Sequence, residues 1–159
     1  ADYRAVRQMI PHREVIFTGP VDEYFDYKLG RLPYRSLNFK FETRNVSVAQ
    51  AGPVINYPND CAYTRVTEFK YLTGQEHPKS TLVYEYASAQ GDPYYPIPRP
   101  ENAALYKCYQ ELAAATPGVH FLGRLGTYKY YNMDQVVAQA LTLYSKITTP
   151  REDRALTTA

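Results

Sequence analysis

Ten consecutive residues of this chain, GDPYYPIPRP at 91–100, contain four prolines. Each proline lacks an N–H and fixes φ, so neither a helix interior nor a central strand can run through them. The segment therefore reads as a rigid extended loop holding Tyr94 and Tyr95 in fixed directions. It also divides the chain, because the residues before it carry strand patterns and those after it carry helix patterns.

Residues 36–42 (SLNFKFE) alternate with period two, Leu37, Phe39 and Phe41 on one side and Ser36, Asn38, Lys40 and Glu42 on the other. Arg35 shares the parity of the apolar side, where a cation either snorkels or lines a cavity. Further strands are expected at 53–57, 63–72 and 80–86, separated by loops rich in Pro, Asn, Asp and Gly. In the longest, Tyr63, Arg65, Thr67, Phe69 and Tyr71 fall on one face. The short spacings imply antiparallel meanders. Upstream, residues 2–10 suit a short helix and 14–18 (EVIFT) a buried strand. Residues 22–27 suit one helical turn with Asp22 as its cap.

Downstream, Leu105, Cys108, Tyr109 and Leu112 recur at helical spacing in 101–115. A strand is expected at 119–122 and a glycine-containing loop at 123–131. A second helix should run from 133 to about 146. Its stripe would be Met133, Val136, Val137, Ala140, Leu141 and Tyr144, with Asn132 as N-cap and Gln135 completing a capping box. After Pro150 a polar tail is expected to fray. The fold class is mixed α/β (α+β), an antiparallel sheet of about four to six strands followed by helix, strand and helix.

Composition narrows function. Eighteen Lys+Arg against sixteen Asp+Glu leave a net charge of +2, too small to mark a nucleic-acid partner. No apolar run reaches the ~18 residues of a membrane span, and ADYRAVRQMI does not read as a signal peptide. Cys61 and Cys108 make no disulfide framework and read as free thiols in a reducing cytoplasm. His12, His77 and His120 lack ligand spacing, so no metal site is expected. The unusual number is 17 tyrosines with no tryptophan. Flat rings with one hydroxyl suit polar, partly aromatic ligands, while about half would simply pack at sheet edges.

No nucleophile–base pair and no phosphate loop of the GxxxxGK[ST] or GxGxxG kind is present. What remains is anion-binding equipment. Arg35, Arg65 and Arg124 each stand beside tyrosines, a pairing that suits a diphosphate ester and equally suits salt bridges and cation–π stacks. A loop with Gly123 and Gly126 feeds a helix whose free N–H groups attract negative charge.

VIFTGPVDEYFDYKLGRLPYRSLNF from Val15, YTRVTEF from Tyr63, PYYPIP from Pro93 and FLGRLGTYKYYNMDQVV from Phe121 resemble the UDP-galactopyranose mutase family. They stand in its order and near its spacings, up to about residue 147. The family's chains are more than twice as long, and this one resembles their C-terminal part, without the N-terminal dinucleotide fingerprint. The resemblance implies a cytoplasmic isomerase that interconverts UDP-galactopyranose and UDP-galactofuranose for bacterial surface glycans. It implies FAD in its reduced form, whose N5 forms an adduct with the sugar, so that no catalytic side chain is expected here.

Carried over motif by motif, the resemblance implies that Arg65 grips the diphosphate and that Tyr95 and Tyr130 hydrogen-bond its phosphates. Asn56 would lie near the galactose, and Arg35 would line the substrate pocket. Arg124, Tyr131, Asn132, Met133, Asp134, Gln135 and Val136 would form the FAD-contacting loop and helix start. Asn132 departs from the family's aspartate; it still caps a helix but brings no charge. Residues 1–30 and 91–149 would belong to the FAD-binding domain, 31–90 to an antiparallel-sheet substrate domain, and 150–159 to a flexible tail. Exposed apolar surface would imply self-association or a contact with the missing N-terminal half. The 159 residues by themselves would then hold FAD weakly or not at all. The competing reading is a nucleotide-sugar-binding module with neither flavin nor turnover. Single-stranded nucleic-acid binding by interleaved Tyr and Arg is the weakest alternative.

Overall fold

The computed structural model describes residues 3–149; the expected tail at 150–159 lies outside the described residues. Two compact units divide the chain, one made of the residues up to Pro33 and from Tyr95 onward, the other of Tyr34–Tyr94.

The first unit is built on a parallel pair, β1 (Val15–Phe17) and β7 (Val119–Phe121), with Val15 opposite Val119 and Phe17 opposite Phe121. The expected meeting of the EVIFT segment with the later strand is thus present. Helical turns α1 (Tyr3–Val6) and α2 (Val21–Tyr24) bring aromatic rings to this pair. Phe17, Tyr24, Phe25 and Phe121 meet at centroid distances of 5.0–5.9 Å, mostly edge to face. Asp22 does not cap α2. Pro20 holds the cap position, and the buried Asp22 carboxylate accepts the Leu32 N–H at 2.9 Å. A side chain that reads locally as a cap instead closes a ten-residue loop.

Past the two-residue strand β6 (Tyr95–Pro96), α4 (Pro100–Ala114) begins with proline at its first turn, where the missing N–H costs nothing. Its inward face carries Asn102 and Tyr109, both buried, whereas Cys108 is exposed. The expected loop at 123–131 opens with a helical turn, α5 (Gly123–Gly126). A Cβ at Gly126 would stand 3.0 Å from the Phe17 carbonyl oxygen, so only glycine lets this turn approach β1 so closely. Helix α6 (Met133–Thr148) follows. Its half-buried face is Val136, Gln139, Ala140, Leu143 and Ile147. Met133, Val137, Leu141 and Tyr144 of the expected stripe are exposed.

The second unit is a sheet in which β3 (Val54–Asn56), β4 (Arg65–Glu68), β5 (Ser80–Ser88) and β2 (Tyr34–Arg44) lie side by side in that order. All the pairings within it are antiparallel, as expected. Two expectations change. The strand predicted over 63–72 ends at Glu68, and 69–73 turn into α3 (Phe69–Thr73), closed by Gly74 at φ +66°. Glu68 ends it because its carboxylate is fully buried. The Ala49 and Gln50 N–H groups and the Ser80 hydroxyl donate to it, anchoring the loop after β2 under the sheet. The apolar side of β2 is also not the core side: Phe39 and Phe41 are exposed while Ser36, opposite in parity, is buried. Behind the sheet Tyr63 meets Tyr57, Tyr84 and Tyr86 edge-on, so several tyrosines are packing residues.

Candidate functional site

Strand register decides what the sheet unit offers. Asn56 pairs with Arg65, Arg65 with Glu85, and Glu85 with Phe39, so these four residues form one row across β3, β4, β5 and β2. Side chains in one row share a face. Arg35 lies on that face too, four residues from Phe39 and so about 13 Å along β2. Three residues singled out in the sequence, Arg35, Asn56 and Arg65, thus share one open face of the sheet.

Within the row, Arg65 Nε donates to Asn56 Oδ1 at 3.0 Å, and its Nη1 stands 3.7 Å from Glu85 Oε2. The Arg65 side chain is 43% exposed against 15% for that of Glu85, so a ligand can reach the cation more readily than the anion. Beyond Glu85, the half-exposed Phe39 ring takes the edge of Tyr94 at 5.7 Å. Tyr94 is fixed in turn, because its N–H donates to the Arg35 carbonyl at 3.0 Å. Sequence reasoning missed Glu85. Its only sequence signal was parity within β5, which has no meaning until the register is known.

The other named residues gather in the first unit. Tyr95 and Tyr130 stack with centroids 5.6 Å apart and planes at 23°. The Arg124 guanidinium lies 5.3 Å from each of the two rings. Its Nε donates to the Tyr131 carbonyl at 2.6 Å, and the Gly123 N–H donates to Gln139 Oε1 at 2.9 Å, tying α5 to α6. Arg124 is therefore a clamp between the two tyrosines and the backbone entering α6. Tyr130 is 59% exposed, leaving its ring and hydroxyl open to a ligand.

The start of α6 is open as well. Asn132, Met133, Asp134 and Gln135 are exposed, Tyr131 and Val136 half-buried. Gln135 Oε1 accepts the Asn132 N–H at 2.8 Å, the reciprocal arm of a capping box. The next N–H groups point along the helix axis, where its dipole favours an anion; Asp134 in the first turn partly offsets this. Among the described residues no cluster of His, Cys, Asp and Glu could hold a metal ion, and no helix is long and apolar enough to cross a membrane.

Arginine rows and stacked tyrosines occur in many folds; comparison with known proteins decides the matter here. The family model described as UDP-galactopyranose mutase matches residues 1–130. This chain belongs to the UDP-galactopyranose mutase family. It is 41% identical to the UDP-galactopyranose mutase of Mycoplasma pneumoniae over 81% of its own length and 35% of that protein. It is 40% identical to the probable UDP-galactopyranose mutase of Klebsiella pneumoniae, over 82% of this chain and 35% of that one. The dTDP-fucopyranose mutase of Escherichia coli is 35% identical over 80% and 35%. The chain thus spans about a third of the length of the curated relatives it matches.

Proposed function

We propose that this chain is the C-terminal region of a flavin-dependent UDP-galactopyranose mutase, an isomerase exchanging the pyranose and furanose forms of a UDP-bound galactose. The observation that carries the reading is Arg65, held at Nε and open to solvent on a sheet face it shares with Arg35. In the family's chemistry the protein must hold an anionic leaving group while the sugar opens and recloses. An arginine fork with neutral phenol donors does this without supplying a competing acid or base.

The family's motifs assign the diphosphate to Arg65 and assign Tyr95 and Tyr130 as hydroxyl donors to its oxygens. Asn56 lies near the sugar and Arg35 lines the substrate pocket. Arg124 keeps the two tyrosines stacked so that their hydroxyls do not have to be ordered when the ligand arrives. Reduced FAD, when bound, supplies the nucleophile for the anomeric carbon. The open start of α6 fits the anionic pyrimidine edge of such a flavin. Arg124, Tyr131, Asn132, Met133, Asp134, Gln135 and Val136 are the residues that would hold it. The adenosine diphosphate half has no Gly-rich fingerprint in this sequence. After incubation with FAD and removal of the free cofactor, the 159 residues are expected to retain little flavin absorbance. A stoichiometric yellow complex would contradict that.

Calorimetric titration with UDP tests the diphosphate role. Arg65→Ala removes a charge-assisted bond of about 1.5–3 kcal/mol, so UDP should bind about ten- to a hundredfold more weakly. Tyr95→Phe removes only a neutral donor of about 0.5–1.5 kcal/mol and should cost less. Equal affinity for wild type and Arg65→Ala would end the reading.

A further inference from the structure

We propose that Asn56 and Glu85 are positioning residues for Arg65, aiming its guanidinium so that one edge is left for a diphosphate. The inference rests on the diphosphate role given to Arg65 above. Three adjacent strands bring these residues into register, Asn56 opposite Arg65 and Arg65 opposite Glu85. A slip of one residue in either pairing would move a member to the other face, so the row is fixed by the sheet.

The two neighbours act differently. Asn56 Oδ1 takes the Nε–H in a direct hydrogen bond at 3.0 Å, which fixes the plane of the guanidinium. Glu85 Oε2 lies 3.7 Å from Nη1, beyond hydrogen-bond range, so its attraction is a field that fixes direction rather than a bond that consumes a donor. Nη2 has no hydrogen-bond acceptor among the described residues. Arginine has five donors in a planar fork, and this arrangement spends one and orients a second. At 3.7 Å, with the Arg65 side chain open to solvent, the pair contributes little to folding.

The obvious objection sets the sign of the test. Glu85 also places a negative charge beside an anionic ligand. If repulsion is what it contributes, Glu85→Gln tightens UDP; if it aims Arg65, the same change weakens UDP. A second readout needs no ligand. The Arg65 Nε–Hε signal in a nitrogen-15 correlation spectrum, assigned by its disappearance in Arg65→Lys, reports whether the guanidinium is held.

In the wild-type chain this hydrogen is expected to exchange with water at least about tenfold more slowly than in Asn56→Ala or Glu85→Gln. Asn56→Asp, which keeps the acceptor oxygen, should restore the protection. Both weakening variants should lose about three- to tenfold in UDP affinity with unchanged thermal midpoints. Unchanged Nε–Hε exchange in Glu85→Gln, or tighter UDP binding by it, would overturn the proposal for Glu85. Unaltered UDP affinity in Arg65→Ala overturns the diphosphate reading itself. The exchange data would then still report separately on whether Asn56 and Glu85 hold the side chain.

Discussion

Replacing Glu68 by glutamine is expected to cost about 1–3 kcal/mol, a sizeable share of the roughly 5–15 kcal/mol that stabilises a domain. Burial by itself would push this carboxyl up. The Ser80 hydroxyl, the Ala49 and Gln50 N–H groups and the nearby Lys70 outweigh it, and Glu68 ends below the usual glutamate range. Ala49 N lies 3.0 and 3.1 Å from the two oxygens and Gln50 N lies 2.9 Å from one of them. A glutamine of the same shape keeps one acceptor oxygen for the Ala49 and Gln50 N–H groups and can donate to Ser80 Oγ only if that hydroxyl reverses, so the charge-assisted bonds become weaker neutral ones.

The depressed pKa also fixes the pH dependence. The unfolded chain binds a proton at Glu68 near the ordinary glutamate value of about 4.3, and the folded chain binds it only at lower pH. Stability from Glu68 is therefore fully present above about pH 5 and is lost as the pH falls through the folded value. Thermal midpoints measured from pH 7 to pH 3 should fall in the wild type, and Glu68→Gln should start lower and fall less. Parallel curves for the two proteins would mean that another carboxylate controls acid unfolding.

Glu68 also shows where reading from sequence stops. The alternation of 36–42 correctly gives a strand, because period two needs only local sterics. Continuing 63–72 as one strand fails. Glu68 there has the same parity pattern as a solvated glutamate, and only the loop at 49–50 makes it a buried anchor. Helix α6 fails in a related way. Apolar residues stand on both of its faces, and sequence cannot say which of Val136, Ala140 and Leu143 or Met133, Val137 and Leu141 turns inward. The candidate site divides along the same line. Arg35, Arg65 and Arg124 stand out in the sequence because each lies beside tyrosines, whereas the roles of Tyr95, Tyr130 and Asn56 come only from the family resemblance. That Asn56 and Glu85 flank Arg65 depends on register between strands 9 and 20 residues away. Spacing along the chain does not encode that.

Tyr109→Ala is expected to destabilise the first unit by at least about 3–5 kcal/mol, the usual cost of deleting a buried aromatic ring. Its side chain is wholly inaccessible, and its ring stacks on Phe25 at 6.1 Å. Burial raises the phenol's pKa, so it remains a donor to the Gly30 carbonyl at 2.6 Å while accepting the Leu29 N–H at 3.1 Å. Those bonds hold an unusual turn. Asp26 and Tyr27 have φ of 55° and 56°, a conformation costing non-glycine residues about 1–2 kcal/mol each. Such strain persists only where surrounding contacts over-determine it, and here Asp22 holds Leu32 at one end while Tyr109 holds Leu29 and Gly30 in the middle. Tyr109→Phe keeps the ring and orphans the Gly30 carbonyl and Leu29 N–H, so it should lose about 1–3 kcal/mol, less than the alanine variant. Denaturant melts of the two variants give the energies, and amide exchange at Leu29 and Gly30 reports the turn. If Tyr109→Phe leaves those two amides as protected as in the wild type, the hydroxyl does not hold the turn, and the strain at Asp26 and Tyr27 must be offset elsewhere.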